Sequence, residues 1–261
     1  MCILSRNFIK GNSMGIVNRN GINFRELVLV DKIKECEGII SFYFKDVDNK
    51  SLKKHKPGQF LPFQIQTKDP TYKGVMRTYS LSNIPNESIY RISVKKIQNG
   101  LISTYLHDKL EIGDKIEAME PMGLFTVKEN SKNKPLVLIC GGIGVTPLLS
   151  MLYEESKKRN NIYFVQAHQN SSIHPFKNDI ESICKYRNLS NIVFYSNPLQ
   201  SDKEGIDYNH TGRISKEWIQ NNLPLDGDFY FCGPEPFMKS IENNLLELGV
   251  SKEYINYELF N

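Results

Sequence analysis

The first half of the chain alternates apolar and polar residues in short runs. From about Phe24 to Val127 these runs are separated by glycine, proline, asparagine and aspartate, a pattern typical of β-strands joined by turns. The runs are "FRELVLVDKI", "GIISFYFK", "QFLPFQIQ", "RTYSLS", "SIYRISVKK" and "DKIEAMEP". One helical segment, "LISTYLHDKL" after Gly100, interrupts them. Six short strands and one helix predict an antiparallel six-stranded Greek-key β-barrel.

The pattern changes after a polar, lysine-rich link, "KENSKNKP", at residues 128–135. Beyond it, apolar runs such as "PLVLIC", "NIYFVQAH" and "DFYFCG" alternate with amphipathic helical segments. Strands that are apolar throughout are covered on both faces, so this half is predicted to be an α/β doubly wound domain with a parallel sheet. We therefore expect an N-terminal extension at residues 1–23, a barrel domain at 24–130 and an α/β domain at 131–261.

Composition and charge argue against several classes of protein. The net charge of +4 is small and spread along the chain, which does not favour nucleic-acid binding. No run approaches the ~18 apolar residues of a membrane span. The start of the chain lacks the apolar core of a signal peptide. The five cysteines are scattered and odd in number, as expected for reduced thiols in the cytoplasm. Neither cysteines nor histidines have metal-ligand spacing, so we expect no metal.

The run "RTYSLSN" places a cation, an aromatic ring and a hydroxyl at the end of one predicted strand. Alternate side chains of a strand share a face, so Arg77 and Tyr79 point one way and Ser80 the other. A cation beside an aromatic ring suits a ligand that carries both phosphate and a flat ring system. It also suits an ordinary barrel wall, and this motif taken alone favours the wall.

A second motif, "CGGIGVTPLLSML" at residues 140–152, joins a buried strand to a helix through three closely spaced glycines. We expect Thr146 to be the N-cap of that helix and Pro147 its first residue. Glycines let a backbone approach a ligand closely, and free N–H groups at a helix start attract anions, so the motif suits a pyrophosphate. It lacks the G-K-[ST] of a triphosphate loop and departs from G-x-G-x-x-G. A tight turn made only for packing is the alternative, and the cap residues favour a functional interpretation.

Three further stretches could contribute to a site. In "FYFCGPEPFM" a strand ends at Cys232, at the same carboxyl edge as the glycine motif, so the two are expected to flank one crevice. Cys232 alone would be typical of a buried apolar position. In "GLISTYLHD", Gly100 precedes a helix start that could hold phosphate or could be a plain helix terminus. In "NYELFN", Glu258 and Phe260 end the last strand or belong to a frayed tail.

Together these motifs resemble those of the ferredoxin–NADP reductase superfamily. The resemblance extends from about Phe24 to Phe260 and is strongest to the reductase portion of the flavohaemoglobins. It rests on R-T-Y-S, "YRISVKK", "GLISTYLHD", "GGIGVTP", "FCGPEPFM" and "YELF", which follow one another in the family's order. Flavohaemoglobins commonly have tyrosine where this chain has Phe60.

The resemblance implies FAD in the barrel and NADH or NADPH in the α/β half. It implies that Arg77 pairs with the FAD pyrophosphate, that Tyr79 packs on the isoalloxazine, and that Ser80 donates a hydrogen bond near flavin N5. The implied FAD site consists of Phe60, Arg77, Thr78, Tyr79, Ser80, Val94, Gly100, Leu101, Ile102, Ser103 and Phe260. The implied NAD(P)H site consists of Gly141, Gly142, Ile143, Gly144, Val145, Thr146, Pro147, Cys232, Gly233 and Pro234. The implied catalytic residues are Ser80, Cys232 and Glu258.

The expected function is hydride transfer from NAD(P)H to FAD, followed by electron transfer to a separate acceptor. Residues 1–23 are too few for a globin domain and no iron–sulfur segment follows, so we expect the acceptor to be another redox protein with haem, an iron–sulfur cluster or flavin. A free-standing ferric or flavin reductase and a non-catalytic nucleotide-binding subunit remain alternatives. Gln169 lies where NADPH-dependent relatives often have arginine, which favours NADH, although Lys177, Arg187 or Arg213 could hold a 2′-phosphate instead.

Overall fold

The computed structural model describes residues 16–19, 22–129 and 133–260, and it contains two β-sheets with five α-helices. The first sheet is antiparallel and precedes the second, which is parallel. None of the helices in the described ranges is long and apolar enough to span a bilayer.

Seven strands form the first sheet. They are β1 (Ile16–Arg19), β2 (Ile22–Cys36), β3 (Ile39–Asp46), β4 (Phe60–Ile65), β5 (Met76–Ser80), β6 (Tyr90–Lys95) and β7 (Lys115–Ala118), with helix α1 (Leu101–Asp108) between the last two. Their order is β5-β4-β7-β2-β3-β6, with β1 paired to β2.

The ends of this path meet and close the barrel. Just beyond β5, Leu81 bridges Ile92 of β6, and the Ser82 amide donates to the Arg91 carbonyl at 2.9 Å. Inside, alternate side chains from neighbouring strands fill the core, with Phe42, Phe44, Phe63, Leu61 and Ile92 fully buried. The predicted six-stranded barrel is confirmed, with β1 as an additional strand.

The first sheet begins before the residue at which the sequence predicts it. Both β1 and the start of β2 precede Phe24, within the range predicted as an N-terminal extension. Their pairing, with Val17 opposite Phe24, makes this part of the range a hairpin of the sheet. Residues 1–15 lie outside the described residues, and the domain limits at 24–130 and 131–261 stay predictions.

The second sheet is parallel and has helices on both faces. Its strands are β8 (Leu136–Gly141), β9 (Ile162–His168), β10 (Ser190–Tyr195), β11 (His210–Thr211), β12 (Asp228–Cys232) and β13 (Ile255–Glu258); its helices are α2 (Val145–Glu155), α3 (Lys177–Arg187), α4 (Lys216–Asn222) and α5 (Glu235–Glu247). The strand order is β11-β10-β9-β8-β12-β13.

Alternation along β8 shows how the two faces are covered. Leu136 and Leu138 pack with α2 and α3, whereas Val137 and Ile139 pack with α4 and α5. This confirms the doubly wound arrangement. The chain order reverses between β8 and β12, and in such sheets ligands bind at the carboxyl ends of the strands on either side of the reversal.

Candidate functional site

A cleft of about 470 Å³ opens between the barrel and the α/β sheet. Its walls come from five parts of the chain: the start of β4, the end of β5, the end of β6 with the start of α1, the turn after β8, and the C-terminal segment. The lining residues are Phe60, Arg77, Thr78, Tyr79, Ser80, Ser93, Lys95, Ile97, Gly100, Leu101, Ile102, Ser103, Ile143, Thr146, Glu258, Leu259 and Phe260.

The end of β5 contributes four consecutive residues to this cleft. Arg77 and Thr78 are exposed, Tyr79 is half-buried and Ser80 is buried. The strand lies at the end of the sheet path, so side chains from both of its faces reach the cleft. Tyr79 stacks on Phe63 with ring centroids 5.7 Å apart, and burial raises the pKa of its phenol to about 12, so the ring stays neutral.

Most of the N–H groups of the Arg77 guanidinium are available to bind an anion. One of its nitrogens, Nη1, donates to the carbonyl of Met76, the preceding residue, at 2.8 Å. The remaining N–H groups lie at an exposed position in the wall of the cleft. Arginine in this setting binds phosphate through two parallel hydrogen bonds.

The start of α1 provides a second anion-binding element. The first amides of a helix have no acceptor in a preceding turn, and here they belong to Leu101, Ile102 and Ser103. The Ser103 hydroxyl accepts from the Ile97 amide at 3.2 Å and so fixes the loop that leads into the helix. A β-carbon at Gly100 would lie 3.0 Å from the Ile97 carbonyl oxygen and overlap the Ser103 hydroxyl, so a larger residue would displace this hydroxyl from the turn.

These elements fit the FAD that the sequence implies. An exposed guanidinium and a helix start supply donors for phosphate oxygens. The rings of Tyr79, Phe60 and Phe260 supply flat apolar walls for a ring system. The Phe60 ring packs directly against Gly123, where an added β-carbon would lie 3.0 Å from the ring.

The Glu258 carboxyl lies in the wall of the cleft next to Ser80. Burial raises the pKa of this carboxyl to about 7, and hydrogen bonding with the Ser80 hydroxyl lowers it in part. A carboxyl with this pKa gains and releases protons near neutral pH, as a proton-transferring group does. The segment Glu258–Phe260 therefore belongs to the cleft and is not an isolated tail.

The glycine turn after β8 differs from the prediction in where its helix starts. A short 3₁₀ turn covers Gly142–Gly144, and α2 begins at Val145 with Gly144 as its N-cap. The prediction that Thr146 is the N-cap is wrong, because the Thr146 hydroxyl lies inside the helix and donates to the Ile143 carbonyl at 3.1 Å. Extra turns of this kind are common at helix starts.

The three glycines of this turn serve different purposes. A β-carbon at Gly141 would lie 3.0 Å from the Phe237 ring, and one at Gly144 would overlap the Cys232 carbonyl. Both therefore permit close packing. Gly142 has φ of +53° and open space around its missing β-carbon, so its backbone faces a surface that a ligand can approach.

Cys232 lies next to the cleft but does not line it. Its side chain is fully buried, and its Sγ donates to the Glu258 carbonyl at 3.4 Å. Burial raises the pKa of the thiol well above its ordinary value, and the Glu258 carboxylate adds to this, so the thiol stays protonated. Its implied membership of the NAD(P)H site stays a prediction.

Most of the implied FAD residues meet in the cleft, and the implied NAD(P)H residues extend beyond it. Val94 lies in the barrel core. Ile143 and Thr146 line the cleft, whereas the other residues of the two strand-end turns do not line it. The sequence analysis missed Ser93, Lys95, Ile97 and Leu259. A usable signal existed, since Ser93 and Lys95 flank Val94 and must face the opposite way.

The structure separates the three cations considered for a 2′-phosphate. Lys177 pairs with Asp207 at 2.8 Å and lies 3.7 Å from Glu181. Helix α3 starts near the carboxyl end of β9 and runs back to the start of the parallel strand β10. Arg187, at the end of α3, therefore lies towards the amino edge of the sheet. Arg213 follows β11 at the carboxyl edge and is exposed. Gln169 is exposed directly after β9.

Two family models match the chain. The model described as an oxidoreductase FAD-binding domain matches residues 26–127, and the one described as an oxidoreductase NAD-binding domain matches residues 138–243.

The chain is similar in sequence to proteins named flavohemoprotein. One from Bacillus thuringiensis subsp. konkukian is 40% identical over 248 residues, and one from Bacillus subtilis is 36% identical over 240 residues. These alignments cover 91% of this chain but 61% and 59% of the two relatives, so the chain spans about three fifths of their length.

The fold is also shared with solved structures. The flavohem-like FAD/NAD-binding domain of nitric oxide dioxygenase from Vibrio cholerae O1 biovar El Tor superposes with a TM-score of 0.81 at 30% identity, covering 90% of this chain and 98% of that one. Flavohemoglobin from Malassezia yamatoensis, solved with bound FAD and heme, gives a TM-score of 0.78 at 25% identity, covering 93% and 61%.

Proposed function

Since the chain belongs to the FAD- and NAD-binding reductases of ferredoxin–NADP reductase type, together with the reductase portion of flavohaemoglobins, we propose that it transfers hydride from NAD(P)H to FAD and passes the electrons to a separate redox protein. The observation that carries this proposal is the cleft itself. There the anion-binding elements and aromatic walls of the barrel face Ile143 and Thr146 of the α/β sheet.

FAD, when bound, accepts hydride from a nicotinamide and can release electrons one at a time. The chain's own residues would hold and orient both nucleotides. Arg77 and the α1 start would bind the FAD pyrophosphate, and Tyr79 would pack against the flat ring. The glycine turn after β8 and the turn at Gly233 would bind the coenzyme, with its nicotinamide directed into the cleft.

Ser80 and Glu258 would control protons at the reacting edge. The Ser80 hydroxyl would donate a hydrogen bond near N5, and Glu258 would hold or release a proton at its carboxyl oxygen. The pKa of about 7 on Glu258 supports this role, because both protonation states are populated at neutral pH.

A haem protein is the acceptor that the relatives favour, since several relatives similar in sequence are named flavohemoproteins. NADH is the proposed coenzyme, supported by Gln169 at the end of β9 and by the pairing of Lys177 with Asp207. We also propose a cytoplasmic location, supported by the free thiols of the described cysteines.

Stopped-flow reoxidation tests the acceptor. The FAD-loaded protein is reduced anaerobically with NADH and mixed with a haem protein, an iron–sulfur protein, a flavodoxin, free flavin or a ferric chelate. The proposal predicts that the haem protein reoxidises it fastest. If ferric chelate or free flavin is faster than every protein, a small-molecule reductase replaces it.

A further inference from the structure

The barrel face that meets the α/β domain carries a row of buried polar side chains. The serine row consists of Ser41 on β3, Ser82 after β5 and Ser93 on β6, each at most 3% exposed. The Ser93 hydroxyl lies 2.7 Å from that of Ser41 and 2.8 Å from that of Ser82. The row thus crosses three neighbouring strand positions as one hydrogen-bonded unit.

Two members of this row, Ser93 in the middle and Ser82 at one end, reach two different parts of the proposed site. Ser93 lines the cleft. At the Ser82 end, Nε of Arg91 donates to the Ser82 hydroxyl at 3.0 Å, and its Nη2 donates to the Ser82 carbonyl. From there the guanidinium of Arg91 lies 4.8 Å from the ring centre of Phe176, in the α/β domain. Arg91 therefore connects the wall of the cleft to the opposite domain.

Phe176 ends the segment that follows β9 at the carboxyl edge of the parallel sheet. We define this segment, residues 169–176, as the β9 loop. Phe176 has φ of +60° and ψ of +19°, a left-handed conformation that is rare for a bulky residue and needs support from its surroundings. Its ring is buried in the core beside α2 and α3. The Arg91 guanidinium covers this ring from the barrel side.

A second contact holds the β9 loop to the barrel. The Glu37 amide, in the turn between β2 and β3, donates to the Ser172 carbonyl at 3.0 Å. The loop is therefore held from the barrel at two points, by Glu37 and by Arg91.

Arg91 holds its position by geometry more than by charge pairing. It is 6% exposed, and within the described ranges no carboxylate lies at salt-bridge distance from it. Its hydrogen-bond partners are Ser82, the Tyr43 hydroxyl at 3.5 Å and the Tyr153 hydroxyl on α2, and the Glu35 carboxylate attracts it without direct pairing. Burying a charge with neutral partners is costly. A planar group that can stack on a ring and donate in its own plane is specific to arginine, and lysine does not reproduce it.

We propose that Arg91 is a positioning residue for hydride transfer: it fixes the β9 loop against the serine row, and so sets where a coenzyme bound at that loop lies relative to the cleft. This inference rests on the proposed function. The β9 loop and the glycine turn lie at the same edge of the sheet, so a coenzyme bound across both moves with the loop. A displacement of about 1 Å between reacting groups is enough to slow a reaction strongly.

The test compares FAD-loaded Arg91→Met and Arg91→Lys with the unchanged protein. Three quantities are measured: the rate constant of flavin bleaching by saturating NADH, the affinity for ADP, and amide hydrogen exchange in residues 169–176. In Arg91→Met we expect bleaching to slow roughly 10- to 100-fold while ADP affinity stays unchanged. Exchange in the β9 loop should accelerate. Arg91→Lys should restore little, because it keeps the charge without the planar contacts.

Two further variants separate positioning from stability. Arg25→Met is a matched control, because Arg25 pairs with Asp46 at 2.5 Å on the barrel. This substitution should lower Tm without slowing bleaching. Phe176→Leu keeps an apolar side chain but removes the ring, and should slow bleaching as Arg91→Met does. It also keeps the inference testable if Arg91→Met fails to fold.

Three outcomes would overturn the inference. Bleaching of Arg91→Met and Phe176→Leu at the unchanged rate would show that the contact does not position the coenzyme. Loss of ADP affinity in step with the rate would make Arg91 part of general stability or binding. Failure of the unchanged protein itself to bleach with NADH would instead remove the proposed function on which the inference rests.

Discussion

Gly144 lies so close to Cys232 that a β-carbon at Gly144 would overlap the Cys232 carbonyl group and lie 2.6 Å from the Gly233 amide nitrogen. The turn after β8 and the turn after β12 are thus in direct backbone contact. This contact brings both strand-end turns to one crevice at the point where the strand order reverses.

Replacing Gly144 by alanine should therefore be much more damaging than replacing Gly142. Gly144→Ala forces two backbones apart and should cost about 3 kcal/mol or more of unfolding free energy. Gly142→Ala places a β-carbon in open space, so its cost is that of a left-handed conformation, about 1–2 kcal/mol. Urea unfolding of the two variants measures this difference, and equal losses would contradict the assigned packing.

Removing the guanidinium of Arg77 should weaken FAD binding specifically. Arg77→Met loses a charge-assisted contact to phosphate of about 1.5–3 kcal/mol, which corresponds to a roughly 10- to 100-fold higher Kd. Lys73→Met, at an exposed cation in the turn before β5, is the matched control and should leave the Kd nearly unchanged. Titration of the apoprotein with FAD, followed by flavin fluorescence, compares them. A similar loss in both variants would indicate only general electrostatic attraction.

Glu258 should make the apoprotein less stable as pH rises. Its pKa is about 7 in the folded chain, above the ordinary value of 4.5. The folded state therefore binds the proton more tightly, and this stabilisation is complete below pH 4.5 and lost as pH rises through 7. Glu258→Gln should flatten this part of a Tm-against-pH curve, whereas Glu217→Gln, at an exposed carboxylate of α4, should not.

The same carboxyl should respond to Ser80. Hydrogen bonding with the Ser80 hydroxyl lowers the pKa of Glu258, so Ser80→Ala should raise that pKa further. Carboxyl ¹³C NMR titration of the apoprotein, with Glu258→Gln to assign the signal, measures the change. A pKa that is unchanged or lower in Ser80→Ala would show that the two side chains do not interact.

His168 should destabilise the protein in acid. Burial lowers its pKa to about 3 from an ordinary 6.5, and neither of its ring nitrogens has a hydrogen-bond partner among the described residues. Its contribution to stability is complete above pH 6.5 and is lost as pH falls towards 3. His168→Leu should therefore move the acid-unfolding midpoint to lower pH.

His174 provides the contrast. It stacks on His168 with ring centroids 4.1 Å apart, but it also bonds to the Tyr195 hydroxyl at 2.8 Å and to Gln166 at 3.0 Å. His174→Leu leaves these buried groups unpaired and should cost stability at pH 7 as well as in acid. Identical pH profiles for the two leucine variants would refute the distinction.

The pattern of apolar positions was sufficient to predict both sheets, because period-two runs and fully apolar runs each dictate how a strand is buried. It did not predict β1, nor β11, which is two residues long and pairs with β10. Strands this short form only because a neighbouring strand pairs with them, and their few residues are too few to show an apolar pattern.

The sequence also predicted which parts of the chain form the cleft, but not the role of each residue. In the sequence, Gly141, Gly142 and Gly144 look alike as members of one glycine motif. In the structure, Gly141 and Gly144 permit close packing, whereas Gly142 faces open space. The burial of Cys232 and the contact of Arg91 with Phe176 depend on how two distant segments pack. Contacts between residues far apart in the chain cannot be predicted from local patterns, whereas strands and turns can, because they depend on neighbouring residues.

The most direct test of the account is an anaerobic visible spectrum of the FAD-reconstituted protein before and after NADH is added, and separately NADPH. We predict flavin bands near ~370 and ~450 nm that bleach on mixing, faster with NADH than with NADPH. A protein that stays colourless after reconstitution, or whose flavin bands do not bleach with either coenzyme, would contradict the proposed hydride transfer.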